Sequence, residues 1–280
     1  MSRVFDALQK TGGSGLLPPT ASPAESVDAL AFDKGFRPES LPSVQAQLGP
    51  ASRIIFHTDP SGPNAERYRL LRLRLNAVRA DAEIKTLLIT SPGPQEGKSN
   101  LSLNLAAALA EKKKHSVLLL EADLRRPSLA PELGLKFPSG LTQCTRSDVG
   151  LQSIMYKVEP FGFYLLPGGK ALDNPAELLN SDWFSEVTAK LADWFDWVII
   201  DSPPAIPVVD AVSLNRRADA SIVVARAGRT QQSLIADTIQ LLGQDRVLGV
   251  VLNAVEKFGH DYNGYYESYG NGKDSRQRKR

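Results

Sequence analysis

The sequence predicts an α/β fold, a mostly parallel central sheet flanked by helices, and three observations carry that expectation. Short apolar runs recur between residues 86 and 252, nearly continuous in Leu, Ile and Val. That is the pattern of strands covered on both faces. Helix-like segments separate several of the runs, as crossovers between parallel strands require. One run leads through a Gly-Lys-Ser loop into a helix, the layout of a phosphate-binding loop.

In chain order, residues 1–50 come first, as a flexible N-terminal segment. Residues 11–50 are rich in Gly, Pro, Ser and Ala, without clear periodicity. Such a stretch reads as a mobile linker. Ahead of it, Val4, Phe5, Ala7 and Leu8 suit at most one amphipathic turn. The folded domain is expected over 51–256. Its strands are placed at Thr86–Thr90, Ser116–Glu121, Trp197–Asp201, Ser221–Ala225 and Leu248–Leu252, and its helices at Asn100–Lys113, Ser185–Phe195 and Gln231–Gly243. Residues 257–280 hold Gly, Asn, Ser, Tyr and charge with no core-forming run, and read as a flexible, tyrosine-rich basic tail.

Composition bounds the function. The 280 residues are 42% hydrophobic and 23% charged, with a net charge of +2. No bulk field points to nucleic acid. The single cysteine, Cys144, excludes an intrachain disulfide and suits a reducing, cytoplasmic setting. No run approaches the roughly 18–20 apolar residues of a membrane helix, so any membrane contact is expected to be peripheral or through a partner.

The strand Thr86–Thr90 runs into Ser91-Pro92-Gly93-Pro94-Gln95-Glu96-Gly97-Lys98-Ser99, followed by a helix from Asn100. Backbone N–H groups of the loop and helix N-terminus would face phosphates, with Gly93, Gln95, Glu96, Gly97, Lys98, Ser99 and Asn100 as the cradle. Lys98 adds a charge for the β and γ phosphates, and Ser99 offers a hydroxyl to Mg²⁺. The expected ligands are therefore ATP and Mg²⁺. Proline 92 stands where such a loop usually has its first glycine.

Two strand ends supply carboxylates, where ligands bind in open α/β sheets. One carries Glu121-Ala122-Asp123-Leu124-Arg125, the other Asp201-Ser202-Pro203-Pro204. Asp201 is positioned to hold Mg²⁺, with Asp123 beside it. If the strand continues, Glu121, Asp123 and Arg125 share one face. One carboxylate would then orient the metal, the other would accept a hydroxyl proton, and Arg125 would neutralise phosphate charge.

As a set these residues resemble the bacterial tyrosine kinases of capsule and exopolysaccharide synthesis, within the MinD/ParA-like P-loop superfamily. Gly97-Lys98-Ser99 stands for the first Walker motif, Glu121 to Arg125 for the second (Walker A′), and Asp201-Ser202-Pro203-Pro204 for Walker B. Asn174–Leu179, Pro207–Ala211 and Gly249–Asn253 are also similar, and the resemblance covers roughly residues 55–270. It implies an ATP-dependent tyrosine autokinase regulating polysaccharide synthesis or export. Lys98, Glu121, Asp123, Arg125 and Asp201 would be catalytic; Ser99, Asp123 and Asp201 would bind metal, and Asn253 would read the base. Glu66, Arg69 and Arg72 match the family's oligomerisation helix, implying a homo-oligomeric ring. Beside them Tyr68, Leu71, Leu75 and Val78 form an apolar stripe. A separate membrane activator, of the chain-length-determinant type, and a cognate tyrosine phosphatase are implied as partners. Glu121 replaces the family's usual aspartate. Its extra methylene displaces a base by roughly 1 Å, enough for an effect on the order of 10²-fold.

Four of the seven tyrosines, Tyr262, Tyr265, Tyr266 and Tyr269, sit among Gly, Asn and Ser. They are the expected phosphoacceptors. Each phosphate adds about −1.5 to −2 charge, which would expel the tail and loosen the ring. Two rivals stand beside this reading: a MinD/ParA-like ATPase, and a catalytically weak nucleotide-binding scaffold. The loop opening Ser91-Pro92-Gly93-Pro94 lacks the extra signature lysine of the ATPases. Glu121 and Pro92 are the features that keep the scaffold open.

Overall fold

The strand propensity of the apolar runs is realised in one sheet. A computed structural model describes residues 35–144 and 150–255, all within one compact unit, Ala31–Arg280. The described elements include β1 (Ser43–Gln45), α1 (Pro63–Ala82), β2 (Thr86–Thr90), α2 (Lys98–Ala110), β3 (Val117–Glu121), β4 (Tyr156–Glu159), β5 (Phe163–Leu166), α3 (Asp182–Trp194), β6 (Trp197–Asp201), α4 (Asp210–Asn215), β7 (Ala220–Arg226), α5 (Gln232–Leu242) and β8 (Val247–Asn253). Strand order is β1-β4-β5-β3-β6-β2-β7-β8. Every neighbouring pair is parallel except β4 with β5.

The expected flexible segment 1–50 is corrected at its end. Residues 43–45 form β1, pairing parallel with β4 through Val44 and Val158. Gln47 N–H donates to Leu133 O at 2.9 Å, so the edge is tied down beyond the strand as well. Residues 1–34, including the amphipathic turn, lie outside the described residues, as does the tail from 256 onward.

β2, β3 and β6 are buried along their whole length. On one face α2 packs tightly, because its sheet-facing positions are Leu or Ala: Leu103, Leu105, Ala106 and Ala108 are fully buried. Each such leucine contributes about 1.5–3 kcal/mol of burial. α3 begins at an N-cap, where Ser181 accepts from Phe184 N–H at 3.2 Å. It turns Phe184, Val187 and Leu191 into the core.

α1 carries the expected stripe only in part. Leu75 is buried, and Tyr68 and Leu71 pack on the core, but Val78 is exposed. Burial pushes the Tyr68 phenol up to about 12. Glu66, Arg69 and Arg72 form an ion network with Glu111 at the end of α2. Arg69 bonds Glu66 (2.6 Å) and Glu111, while Arg72 bonds Glu111 (2.6 Å) and the Ala108 carbonyl (2.6 Å). Both arginines thus lock α1 onto the phosphate-loop helix within one chain, and hold the Glu111 carboxyl below its ordinary range. Glu66, at 46% side-chain exposure, remains the most open of the three.

Candidate functional site

The parallel register sets the site at the carboxyl ends of β2, β3 and β6. Asp201 lies opposite Glu121 on β3 and Ile89 on β2. The loop after β2 therefore faces the carboxylates directly. Gly97 caps α2 with φ +95°, a conformation natural to glycine. A Cβ there would sit 1.9 Å from Asn253 Nδ2. Gly97→Ala thus combines left-handed strain, about 1–2 kcal/mol, with a steric clash. It should weaken ADP binding at least about tenfold by calorimetry, and wild-type affinity in this variant would refute the cradle geometry.

Lys98, Asp123, Ser99 and Asp201 are brought together. Lys98 Nζ lies 3.1 Å from Asp123 Oδ2, both side chains being largely enclosed. Asp201 is fully enclosed. Its Oδ1 accepts from Ser102 at 3.1 Å, and its Oδ2 has no protein partner. Burial pushes its carboxyl up to about 7, opposed chiefly by the Lys98 charge and the nearby Ser99 hydroxyl. An orphaned carboxylate oxygen next to a serine hydroxyl at a helix N-terminus fits a hydrated divalent cation. Among the described residues no cluster of three His, Cys, Asp or Glu could hold a metal without other ligands. The donor set here suits Mg²⁺ held partly by phosphates and water.

Other expected positions are used differently. Glu121 is not open toward the loop. Its Oε1 accepts from Ser128 N–H (2.5 Å) and Leu129 N–H (2.7 Å), and its Oε2 from Gly168 N–H (2.8 Å). The longer side chain is what spans these amides. Burial raises its carboxyl above the ordinary range, partly offset by the three bonds.

Arg125 does not aim at phosphate either. It forms a two-pronged pair with the fully buried Asp210, at 2.6 and 3.2 Å, and donates to Asp173 O at 2.9 Å. A buried carboxylate requires such a partner.

Asn253 donates to Glu96 O at 2.9 Å, supporting the phosphate loop from β8. The Asn100 amide is likewise taken, donating to Arg53 O at 3.1 Å. Gln95 has φ +62° and its carbonyl accepts from Arg226 at 3.3 Å. Burial raises the Glu96 carboxyl, offset only in part by Thr230, the Gly93 N–H and the Arg229 charge. Gly93 also lies against Glu96, whose Oε1 would be 3.4 Å from an added Cβ.

Sequence reasoning missed Ser102, Asp210, Gly168, Arg226 and Thr230. Only Asp210, inside the Pro207–Ala211 stretch, carried a signal. Cys144 is buried, its thiol pushed up to about 11, and takes no part.

Tyr262, Tyr265, Tyr266 and Tyr269 lie outside the described residues. No described helix is long and apolar enough to cross a membrane.

No protein-family model matches the chain. Among curated proteins it is 33% identical over 220 residues to the tyrosine-protein kinase YwqD of Bacillus subtilis, covering 78% of this chain and 92% of that one. It is 32% identical over 199 residues to the tyrosine-protein kinase ptk of Acinetobacter johnsonii, covering 70% of this chain but only 27% of that longer protein. Among solved structures, the kinase domain of the Escherichia coli tyrosine kinase ETK superposes with a TM-score of 0.68 at 29% identity, over 72% of this chain and 80% of that one. The septum site-determining protein MinD of Pyrococcus horikoshii, complexed with Mg-ADP, shares the fold at a TM-score of 0.52 and 24% identity, over 62% and 72% of the two chains.

Proposed function

This chain belongs to the bacterial tyrosine-protein kinases, and from that premise we propose that it transfers the γ-phosphoryl group of ATP to tyrosines of its own tail, Tyr262, Tyr265, Tyr266 and Tyr269. The observation that carries the reading is the convergence of Lys98, Ser99, Asp123 and Asp201 at the mouth of the phosphate loop. Mg²⁺, when bound, neutralises charge on the transferring phosphate. Ser99 and Asp201 would hold it, with Asp123 beside them.

The remaining chemistry belongs to the chain. Backbone N–H groups at the α2 N-terminus bind the phosphates, and Lys98 compensates the developing negative charge. Asp123, paired with Lys98 at 3.1 Å, would hold the lysine in place and accept the tyrosine proton. Glu121 and Arg125 act as positioning residues. One ties the loop after β3 to Gly168, the other ties that loop to Asp210.

The acceptor tail would come from a neighbouring copy in a ring built on α1. Glu66 is its most accessible contact, and Arg69 and Arg72 exchange Glu111 for intersubunit partners. Regulation of capsule or exopolysaccharide synthesis or export would follow through a separate membrane activator, with a cognate phosphatase reversing the modification. The chain would then act at the cytoplasmic face of the membrane.

The test is complementation in trans. Lys98→Met retains the acceptor tail, while a variant with all four tail tyrosines changed to Phe retains the kinase site. Neither should become phosphorylated alone on the tail, but mixed with Mg-ATP the Lys98→Met tail should gain phosphotyrosine. No phosphate in the mixture, with wild-type protein phosphorylated, would exclude transfer between copies.

A further inference from the structure

A cavity of about 560 Å³ opens at the end of the sheet opposite the phosphate loop. Asn76, Arg79, Ala80 and Glu83 of the α1 end line it, with Lys85 before β2 and His115 before β3. We propose that this cavity is a second anion site, taking a ligand that carries a phosphoryl group.

Three of its six lining side chains are cationic or can donate from a ring, against one carboxylate, Glu83. Arg79 is fixed in the wall by three contacts. Its guanidinium stacks over the Trp197 ring at 5.3 Å, and it meets His115 Nδ1 at 3.3 Å and Asp196 Oδ1 at 3.5 Å. With Nδ1 turned to Arg79, the other ring nitrogen, Nε2, is the one left to meet a ligand. Lys85 Nζ spends one proton on Ala192 O at 3.1 Å, leaving two.

Two nearby carboxylates already have partners, Asp196 being paired with Arg79 and 4.0 Å from His115 Nδ1. Asp196 accepts from Ser116 N–H (2.8 Å) and the Ser116 hydroxyl (3.0 Å), and Asp219 accepts from the N–H groups of Lys85 and Thr86. The amide oxygen of Asn76 is buried in the wall without a hydrogen-bond partner. Amide oxygen and nitrogen can exchange places there, so the group offers unused capacity to a polar ligand. Lys112, Lys113 and Lys114, all exposed, lead into His115 and raise the local positive potential. The volume falls in the small-molecule range. Paired, planar donation from Arg suits a phosphate oxyanion.

The test uses the whole chain saturated with Mg-ADP, so that the phosphate loop is filled. Inorganic phosphate is titrated while the His115 imidazole resonances are followed by NMR, with His57 as reference. A saturable His115 shift is expected. Arg79→Gln with Lys85→Gln should weaken it at least about tenfold, and Lys85→Gln alone by less, with ADP affinity unchanged in both. A second arm uses a peptide of residues 261–271 phosphorylated on tyrosine. Tighter saturation by the peptide assigns the phosphoryl group to a tail of another copy; tighter saturation by phosphate assigns it to a free phosphate compound. No saturable shift in either arm, or shifts the double variant leaves intact, overturns the proposal. Neither result bears on the kinase reading, which is read from the tail.

Discussion

Asp201→Asn is expected to abolish phosphotransfer and at the same time stabilise the nucleotide-free chain. Asp201 is fully enclosed, and burial holds its carboxyl near 7, above its unfolded value of about 4. The folded state therefore keeps a proton that the unfolded state releases over that window. Stability of the apo chain falls as pH rises from about 4 to 7, then levels off. A shift of this size corresponds to an effect on the order of a few kcal/mol. Asparagine does not ionise, so the variant should lose that pH dependence and unfold at a higher temperature at pH 8. Mg²⁺ requires the ionised carboxylate, so in wild type its affinity should rise through the same window. Thermal unfolding of both chains between pH 5 and 8, without nucleotide, checks the prediction. Parallel pH profiles for the two would show that Asp201 is not the group held protonated.

Glu121→Ala should be the most destabilising change at the site. It strips the acceptor from three backbone N–H groups, of Ser128, Leu129 and Gly168. Each donor left buried and unsatisfied costs about 1–3 kcal/mol, so the total is on the order of 3 kcal/mol or more, a large share of a domain's typical stability of about 5–15 kcal/mol. Glu121→Asp separates this role from direct catalysis. A shorter side chain cannot span amides on both sides of the carboxylate. The variant should lose stability and gain no kinase activity, although it restores the residue more usual in the family. A faster, equally stable Glu121→Asp would make Glu121 a misplaced catalytic carboxylate. Denaturant midpoints and phosphotyrosine yield, measured on the same preparations, decide between the two.

The central architecture was legible because its signals are local. The bounds of β2 and β6 match the apolar runs. The run expected from Ser116 begins one residue later, at Val117, since Ser116 is held by Asp196. β7 and β8 extend a residue or two past their runs, and the helices start earlier or end sooner by a turn at most. β1, β4 and β5 were not legible. They are three or four residues long, and β1 (Ser43-Val44-Gln45) gains its strand character only from its partner β4.

In the site, the phosphate loop and Asp201 announce themselves by residue type and spacing. The uses of Glu121, Arg125 and Asn253 do not. Their partners are backbone amides or a carboxylate brought in from elsewhere in the chain: Gly168 lies 47 residues from Glu121, Asp210 85 from Arg125, and Glu96 157 from Asn253. Residue type alone could not distinguish a carboxylate facing phosphate from one facing backbone N–H groups. The same limit applies to Arg69 and Arg72, whose spacing resembles the one expected of an oligomerisation helix while their side chains reach Glu111 of the same chain.

The most direct measurement is mass spectrometry of the C-terminal peptide after incubation of the purified chain with Mg-ATP, with Lys98→Met treated identically. Phosphate on one or more of Tyr262, Tyr265, Tyr266 and Tyr269 in wild type, absent from Lys98→Met, is the expected result. An unmodified tail in wild type, despite nucleotide binding and with a candidate membrane activator added, would contradict the autokinase and leave a nucleotide-dependent scaffold or ATPase in its place.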